Sequence, residues 1–201
     1  MVLDVSDRLV VIVGGGVVAV RKANALLECG ATRVRVVAPE IHEDLPEAVD
    51  RLRERYDARH LDGAALAFAA TDSPQVNEQV VRDARERGIL VNRADEGEPA
   101  GDFVTPARFH HGEVVIGVAA GSPALAVAIR NDIARQIDWR RMKMAVAMQS
   151  LRPWIRGRMP AERRSQVLRE LAGDEAIEVL DRGGEPALRD WIGRKYPELK
   201  L

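Results

Sequence analysis

Three consecutive glycines, Gly14, Gly15 and Gly16, separate an apolar β-branched run, Leu9–Val13, from a segment with apolar residues at Val18, Ala19, Ala23, Leu26 and Leu27. Gly14 and Gly16 with Ala19 match the spacing of a strand–turn–helix that holds a dinucleotide. Gly14 permits the tight turn, Gly16 has no side chain to keep a pyrophosphate off the backbone, and Ala19 lets the helix lie close on the strand. The helix start adds unpaired N–H groups and a partial positive charge that suit phosphates. A bare glycine turn is common in α/β proteins. Here a buried-type strand precedes it, an amphipathic helix follows, and a second strand, Arg33–Val37, lies at the expected distance.

Other residue types carry chemistry of their own. An acidic residue after the second strand commonly holds the ribose of a bound dinucleotide. In this chain Ala38 takes the usual position, followed by Pro39 and Glu40, and Glu40 reads equally as a ribose contact and as the cap of a following helix. NAD and NADP are not separated on this ground. Residues 92 to 106 form a long polar stretch that includes Asp95, Glu96, Glu98 and Asp102. Composition reads it as a solvated linker; its place after a parallel strand reads it as part of a site. His110 and His111 are adjacent on an extended segment, point to opposite sides, and do not make a shared metal site. Arg93, Arg108 and Arg130 are candidates for binding carboxylates, and equally for surface or salt-bridge roles. Met142, Met144 and Met148 read as core or subunit-contact residues.

These groups need a scaffold. Glu43–Tyr56 is predicted as a charged helix, Ala64–Ala70 as a buried strand, and Pro74 to Gly88 as a helix capped by Asp72 or Ser73. Ile89–Asn92 closes an alternation of strands and helices that implies a parallel sheet covered on both faces. Glu113–Val118 reads as a further strand, leading through Ser122 and Pro123 into a helix through Leu125, Ala128, Ile129, Ile133 and Ile137. From Trp139 the pattern is helical and highly charged, with breaks expected at Pro153, Pro160, Gly173, Gly183–Gly184 and Pro197.

Composition narrows the classes. In 201 residues the 30 basic and 31 acidic side chains leave a formal net charge of -1. That argues against wholesale nucleic-acid binding, which favours a basic excess. A chain of this size buries roughly 70% of its unfolded surface, so neither disulfide nor metal is required to hold a core. The single cysteine, Cys29, excludes an internal disulfide, suits a reducing cytoplasm and reads as a small core residue. No apolar run approaches the ~18 residues of a membrane span, and the start carries no secretory signal pattern.

Several stretches together resemble the N-terminal family of siroheme synthases, the precorrin-2 dehydrogenases. They are Gly14–Lys22, Ala69–Asp72 with Asn77, Val91–Asp95 leading to Gly101–Phe103 and Pro106–Ala107, and Gly121–Ala126 with Ile129–Arg130. They occur in family order and spacing from residue 8 to about 135. The resemblance implies an α/β protein with a Rossmann-type parallel sheet at 1–112, a central dimerisation region at 113–150 and a helical C-terminal domain at 151–201. It implies a cytoplasmic homodimer that oxidises precorrin-2 to sirohydrochlorin with NAD, in some members also inserting ferrous iron, without the methyltransferase domain fused to some relatives. Asp95 matches the aspartate assigned to catalysis. Val17 and Val18 match turn residues that touch the nucleotide, with Gly14, Gly15 and Gly16. Pro39 and Glu40 match the contact after the second strand, and Thr71 and Asp72 belong to a matching motif counted with the nucleotide contacts. The resemblance names no residue that holds a resident metal. One departure is Ala119-Ala120-Gly121, shorter than the family's turn and lacking the serine phosphorylated in one branch; it bears on the tetrapyrrole pocket and leaves iron insertion open. The contrasting reading is a non-enzymatic NAD-binding regulatory module, which has the glycine turn but no need of Asp95.

Overall fold

The computed structural model describes residues 3–95, 97, 100–112 and 114–197. They fall into two compact units, residues 1–105 and 106–201.

The first unit is a five-stranded parallel sheet. Its strands are β1 (Leu9–Val13), β2 (Arg33–Val37), β3 (Asp50–Leu52), β4 (Ala64–Ala69) and β5 (Leu90–Arg93), in the order β3-β2-β1-β4-β5. Helix α1 (Val17–Glu28) follows β1, and α2 (Pro74–Glu86) follows β4. β1 is buried at every residue because both its faces are covered. Val10 and Ile12 pack with Ala19, Ala23, Leu26 and Phe68 on the α1 side. Val11 and Val13 pack with Val80, Val81, Ala84 and Val91 on the α2 side. Each such valine or isoleucine contributes roughly 1.5–3 kcal/mol by leaving water.

The helix expected over Glu43–Tyr56 does not form. The chain turns there and then enters β3, which pairs in parallel with β2 through Arg35 and Asp50, Val36 and Arg51, and Val37 and Leu52. Pro46 lacks the N–H a helix interior needs. Leu45 and Val49, whose four-residue spacing suggested a helix, instead reach the α1-side core from turns. Cys29 is also corrected: it is the C-cap residue of α1 and is exposed, while Ala31 beyond it is buried.

In the second unit β6 (Ala107–His111), not foreseen as a strand, pairs antiparallel with β7 (Val114–Val118). Four helices follow: α3 (Pro123–Gln136), α4 (Trp139–Arg158), α5 (Ala161–Leu171) and α6 (Asp174–Lys195). Ser122 caps α3 and Pro123 opens it, as expected. Leu151, Ile155, Val167, Leu171, Ile177, Leu188 and Ile192 form the core of α4–α6. Met144 is buried in that core and Met148 packs against it, and Met142 is buried as well. Pro153 does not break α4. Pro153 and Gln149, whose carbonyl loses its helical partner, both face solvent, while Leu151 and Ile155 hold the buried side. The Gly183–Gly184 break appears as a non-helical Gly184 inside α6. Among the described residues no helix is long and apolar enough to cross a membrane.

Candidate active site

The glycine turn is built by close approach. Gly14 has φ 124° and donates its N–H to the Val37 carbonyl at 2.9 Å; a Cβ there would lie 2.1 Å from the Ala70 carbonyl oxygen. A Cβ on Gly15 would lie 2.0 Å from the Glu40 carbonyl oxygen. The turn is thus wedged between the segment after β2 and the segment after β4. Gly16 differs: a Cβ on it would meet nothing within 4 Å. It is the N-cap residue of α1 and supplies no side-chain cap, so the first N–H groups of the helix are left without a capping side chain beside that open space. That space and those donors fit a pyrophosphate. Val17 is exposed at the first helical position, and Val18 is half-buried against the α1-side core.

Pro39 and Glu40 are exposed beyond β2, whereas Ala38 is buried. No helix follows Glu40, so it caps none; the His42 N–H donates to the Gly15 carbonyl at 2.8 Å and pins this segment beside the turn. Across the turn, Thr71 leaves β4. Its N–H and its hydroxyl donate to Asn77 Oδ1 at 3.0 and 2.8 Å. Asp72 is exposed. The cap of α2 is Ser73, whose Oγ accepts from the Val76 N–H at 3.4 Å, with Pro74 next. Gly14–Val18, Pro39–Glu40 and Thr71 therefore border one region at the carboxyl end of the sheet.

Asp95 follows β5 and is held by three residues. Arg93 donates to both carboxylate oxygens, through Nε to Oδ1 and through Nη2 to Oδ2 at 3.2 Å. Asn77 Nδ2 donates to Oδ2 at 3.0 Å, and the Gly97 backbone N–H adds a further bond. The Arg93 side chain is only 2% exposed and that of Asp95 31%. The Arg93 hydrogen bonds, helped by Asn77, keep the Asp95 carboxyl below the usual carboxylate range against the opposing effect of burial. Asn77 is wholly buried and also donates to the Thr71 carbonyl at 3.0 Å. It therefore joins the β4 end to the Asp95 segment. A carboxylate held this way presents a fixed negative charge at the sheet end.

The segment after β5 is not a free linker. The Asp102 N–H donates to the Val91 carbonyl at 2.6 Å, and the Val91 N–H donates to Asp102 Oδ2 at 3.0 Å. Arg85 binds Asp102 Oδ1 at 2.9 Å and the Ala100 carbonyl at 2.8 Å. Glu96 and Glu98 lie outside the described residues.

Of the candidate arginines, Arg93 is the buried partner of Asp95, and Arg130 donates to the Arg108 carbonyl at 3.0 Å. His111 packs edge-on to Trp139, with ring centroids 5.1 Å apart. Sequence reasoning passed over a second polar cluster, on the other face of β5. Lys22 Nζ donates to Asn92 Oδ1 at 2.8 Å and to Thr105 Oγ1 at 2.9 Å. The spacing Ala19, Lys22, Ala23, Leu26 already sets Lys22 on the buried stripe of α1; that was the available signal.

A family model described as Putative NAD(P)-binding matches residues 1–107. Among curated relatives, siroheme synthase of Chromobacterium violaceum is 38% identical over 165 residues, covering 79% of this chain and 35% of that protein. Siroheme synthase of Azotobacter vinelandii is 36% identical over 174 residues, covering 83% and 37%. That of Thioalkalivibrio sulfidiphilus is 31% identical over 198 residues, covering 94% and 40%. The chain thus spans 35–40% of the length of these relatives. The solved structure of SirC, precorrin-2 dehydrogenase, superposes with a TM-score of 0.76 at 24% identity, over 98% of both chains. That likeness establishes the shared fold.

Proposed function

Because the chain belongs to this NAD(P)-binding family and bears out the resemblance to the N-terminal part of siroheme synthases, we propose that it is an NAD-dependent precorrin-2 dehydrogenase that forms sirohydrochlorin. The observation that carries this reading is Asp95. It is an oriented carboxylate at the carboxyl end of β5, tied through Asn77 to Thr71 at the rim of the glycine turn.

Bound NAD supplies the acceptor for the hydride. The open backbone at Gly16 and the N–H groups of Val17 and Val18 would hold the pyrophosphate, with Gly14 and Gly15 shaping the turn. Pro39 and Glu40 would meet the adenosine ribose, and Thr71 and Asp72 would complete the nucleotide contacts. Loss of hydride leaves positive charge on the macrocycle carbon, and a proton then departs to complete the oxidation. Asp95 is ionised at neutral pH. Its fixed charge stabilises the developing cation without reorganisation, and the same carboxylate can accept the departing proton.

Three further parts belong to this reading. The chain acts as a homodimer through the region around 113–150, supported by the exposed apolar side chains Val115, Leu125, Val127 and Val146. It works in the cytoplasm, supported by the lone cysteine. Where the chain also inserts ferrous iron, as some members of the resembled family do, Asp95 is the group that accepts the pyrrole protons of sirohydrochlorin.

The test follows NADH formation after precorrin-2 is added under anaerobic conditions and, separately, iron uptake by supplied sirohydrochlorin. NADH formed in step with sirohydrochlorin is expected. NAD binding with no oxidation, and no rescue of a strain unable to make siroheme, overturns the reading in favour of a regulatory module.

A further inference from the structure

Lys22 has no place in the chemistry above, and its surroundings call for one. It is a buried ammonium on the apolar stripe of α1, and among the described residues no carboxylate pairs with it. Its partners are neutral: Asn92 Oδ1, Thr105 Oγ1 and the Phe68 ring, whose centroid lies 5.0 Å from Nζ. Holding a desolvated cation on neutral partners costs stability, so stability alone does not account for it.

The two oxygens it grips bracket the segment that carries Asp95. Asn92 lies on β5 just before Arg93, and Thr105 closes the segment. Asn92 Nδ2 in turn donates to the Phe103 carbonyl at 2.7 Å, and Phe103 stands edge-on to Phe68, with centroids 5.6 Å apart. Successive residues of β5 point to opposite faces, so Asn92 turns to Lys22 while Arg93 turns to Asp95.

We propose that Lys22 is the positioning residue of the Asp95 segment: by gripping Asn92 before it and Thr105 after it, Lys22 fixes where the Asp95 carboxylate stands. The inference rests on the oxidation proposed above. A charged Lys22 makes charge-assisted hydrogen bonds to both oxygens and faces the Phe68 ring as a cation; the neutral amine keeps two N–H groups but loses that charge, and the grip loosens. Burial, with a smaller contribution from its helix neighbour Arg21, lowers its pKa to about 8. Of the residues packed on it, Phe68 from β4, Asn92 from β5 and Thr105 are uncharged.

The experiment compares the full-length protein with Lys22→Met, which keeps length without charge, and Lys22→Arg, which keeps the charge. Backbone hydrogen exchange over residues 92–105 is expected to quicken by about tenfold in Lys22→Met, with the NAD dissociation constant unchanged. Turnover of precorrin-2 falls by roughly 10–100-fold in that variant, the scale of a small misplacement. The wild type loses turnover as pH rises through about 8. Lys22→Arg restores turnover in part and abolishes that alkaline limb. Wild-type exchange and turnover in Lys22→Met overturn the proposal, as does loss of turnover in Lys22→Met without faster exchange. If the wild type itself fails to oxidise precorrin-2, the functional reading falls, and the exchange measurement still decides whether Lys22 clasps the segment.

Discussion

At the scale of single residues, neighbouring glycines answer to different forces, and their substitutions separate folding from binding. Gly16 has φ -85° and open space around its missing Cβ. Gly16→Val is therefore expected to fold normally, with the new side chain filling the place proposed for the pyrophosphate. Calorimetry is expected to detect no NAD binding, with melting within a degree or two of the wild type; unchanged affinity removes the nucleotide assignment. Gly14→Ala behaves in the opposite way. At φ 124°, with a carbonyl 2.1 Å from the new Cβ, it loses stability by at least the 1–3 kcal/mol typical of a strained backbone, read as a lowered urea midpoint. Asp95 requires similar care. Asp95→Ala strands the buried Arg93, so loss of activity there mixes chemistry with unfolding. Asp95→Asn keeps the shape and the Arg93 contacts in part, and is expected to retain NAD binding while oxidising precorrin-2 about 10²–10⁴-fold more slowly. The same pair sets an acid limb of stability. The folded pKa of Asp95 lies below its ordinary 3.8, so its contribution is complete above 3.8 and is lost as pH falls through the lower folded value. Below pH 4 the wild type is therefore expected to lose stability more steeply than Asp95→Asn in acid-unfolding curves.

At the scale of elements, α2 links the site together. Ser73 caps it, Pro74 opens it and Asn77, on its first turn, ties β4 to the Asp95 segment. Asn77→Ala removes a buried amide and leaves the Thr71 N–H and carbonyl without their partner. An unsatisfied buried group costs about 1–3 kcal/mol, so a clear drop in melting temperature is expected, along with a slower turnover as Asp95 loses one of its donors. A variant that melts and turns over like the wild type shows that the Asn77 bridge is dispensable. The segment after β5 behaves as part of the sheet for a related reason: Asp102 pairs with Val91 through both its backbone and its carboxylate, covering a sheet edge that otherwise exposes unpaired backbone.

At the scale of the whole molecule, the second unit exposes several large apolar side chains. Trp139 is 53% exposed and Leu125 52%, with Val115, Val127 and Val146 also outward. Patches of this kind mark interaction sites, which supports the homodimer proposed above. Sedimentation is expected to give a dimer at micromolar concentration. Leu125→Asp together with Val146→Asp is expected to yield a folded monomer, and a monomeric wild type ends the dimer reading.

What the sequence determined alone was local. The glycine turn, the Ser73–Pro74 and Ser122–Pro123 helix starts and the buried strands β1, β2, β4 and β5 follow from backbone freedom, capping and hydrophobic runs that act between chain neighbours. The family motifs made Asp95 legible as a catalytic candidate. Tertiary structure decided the rest. Leu45 and Val49 carry helical spacing, yet Pro46 and pairing with β2 turn that stretch into loop and strand. Charge partners were equally hidden: Asn77 reaches Asp95 across 18 positions, and Lys22 reaches Asn92 and Thr105 across 70 and 83. A buried polar group must find its partner wherever the packed fold brings one. Spacing on α1 can show that Lys22 points inward, but only the meeting of α1, β4 and β5 determines that it faces neutral oxygens and an aromatic ring rather than a carboxylate.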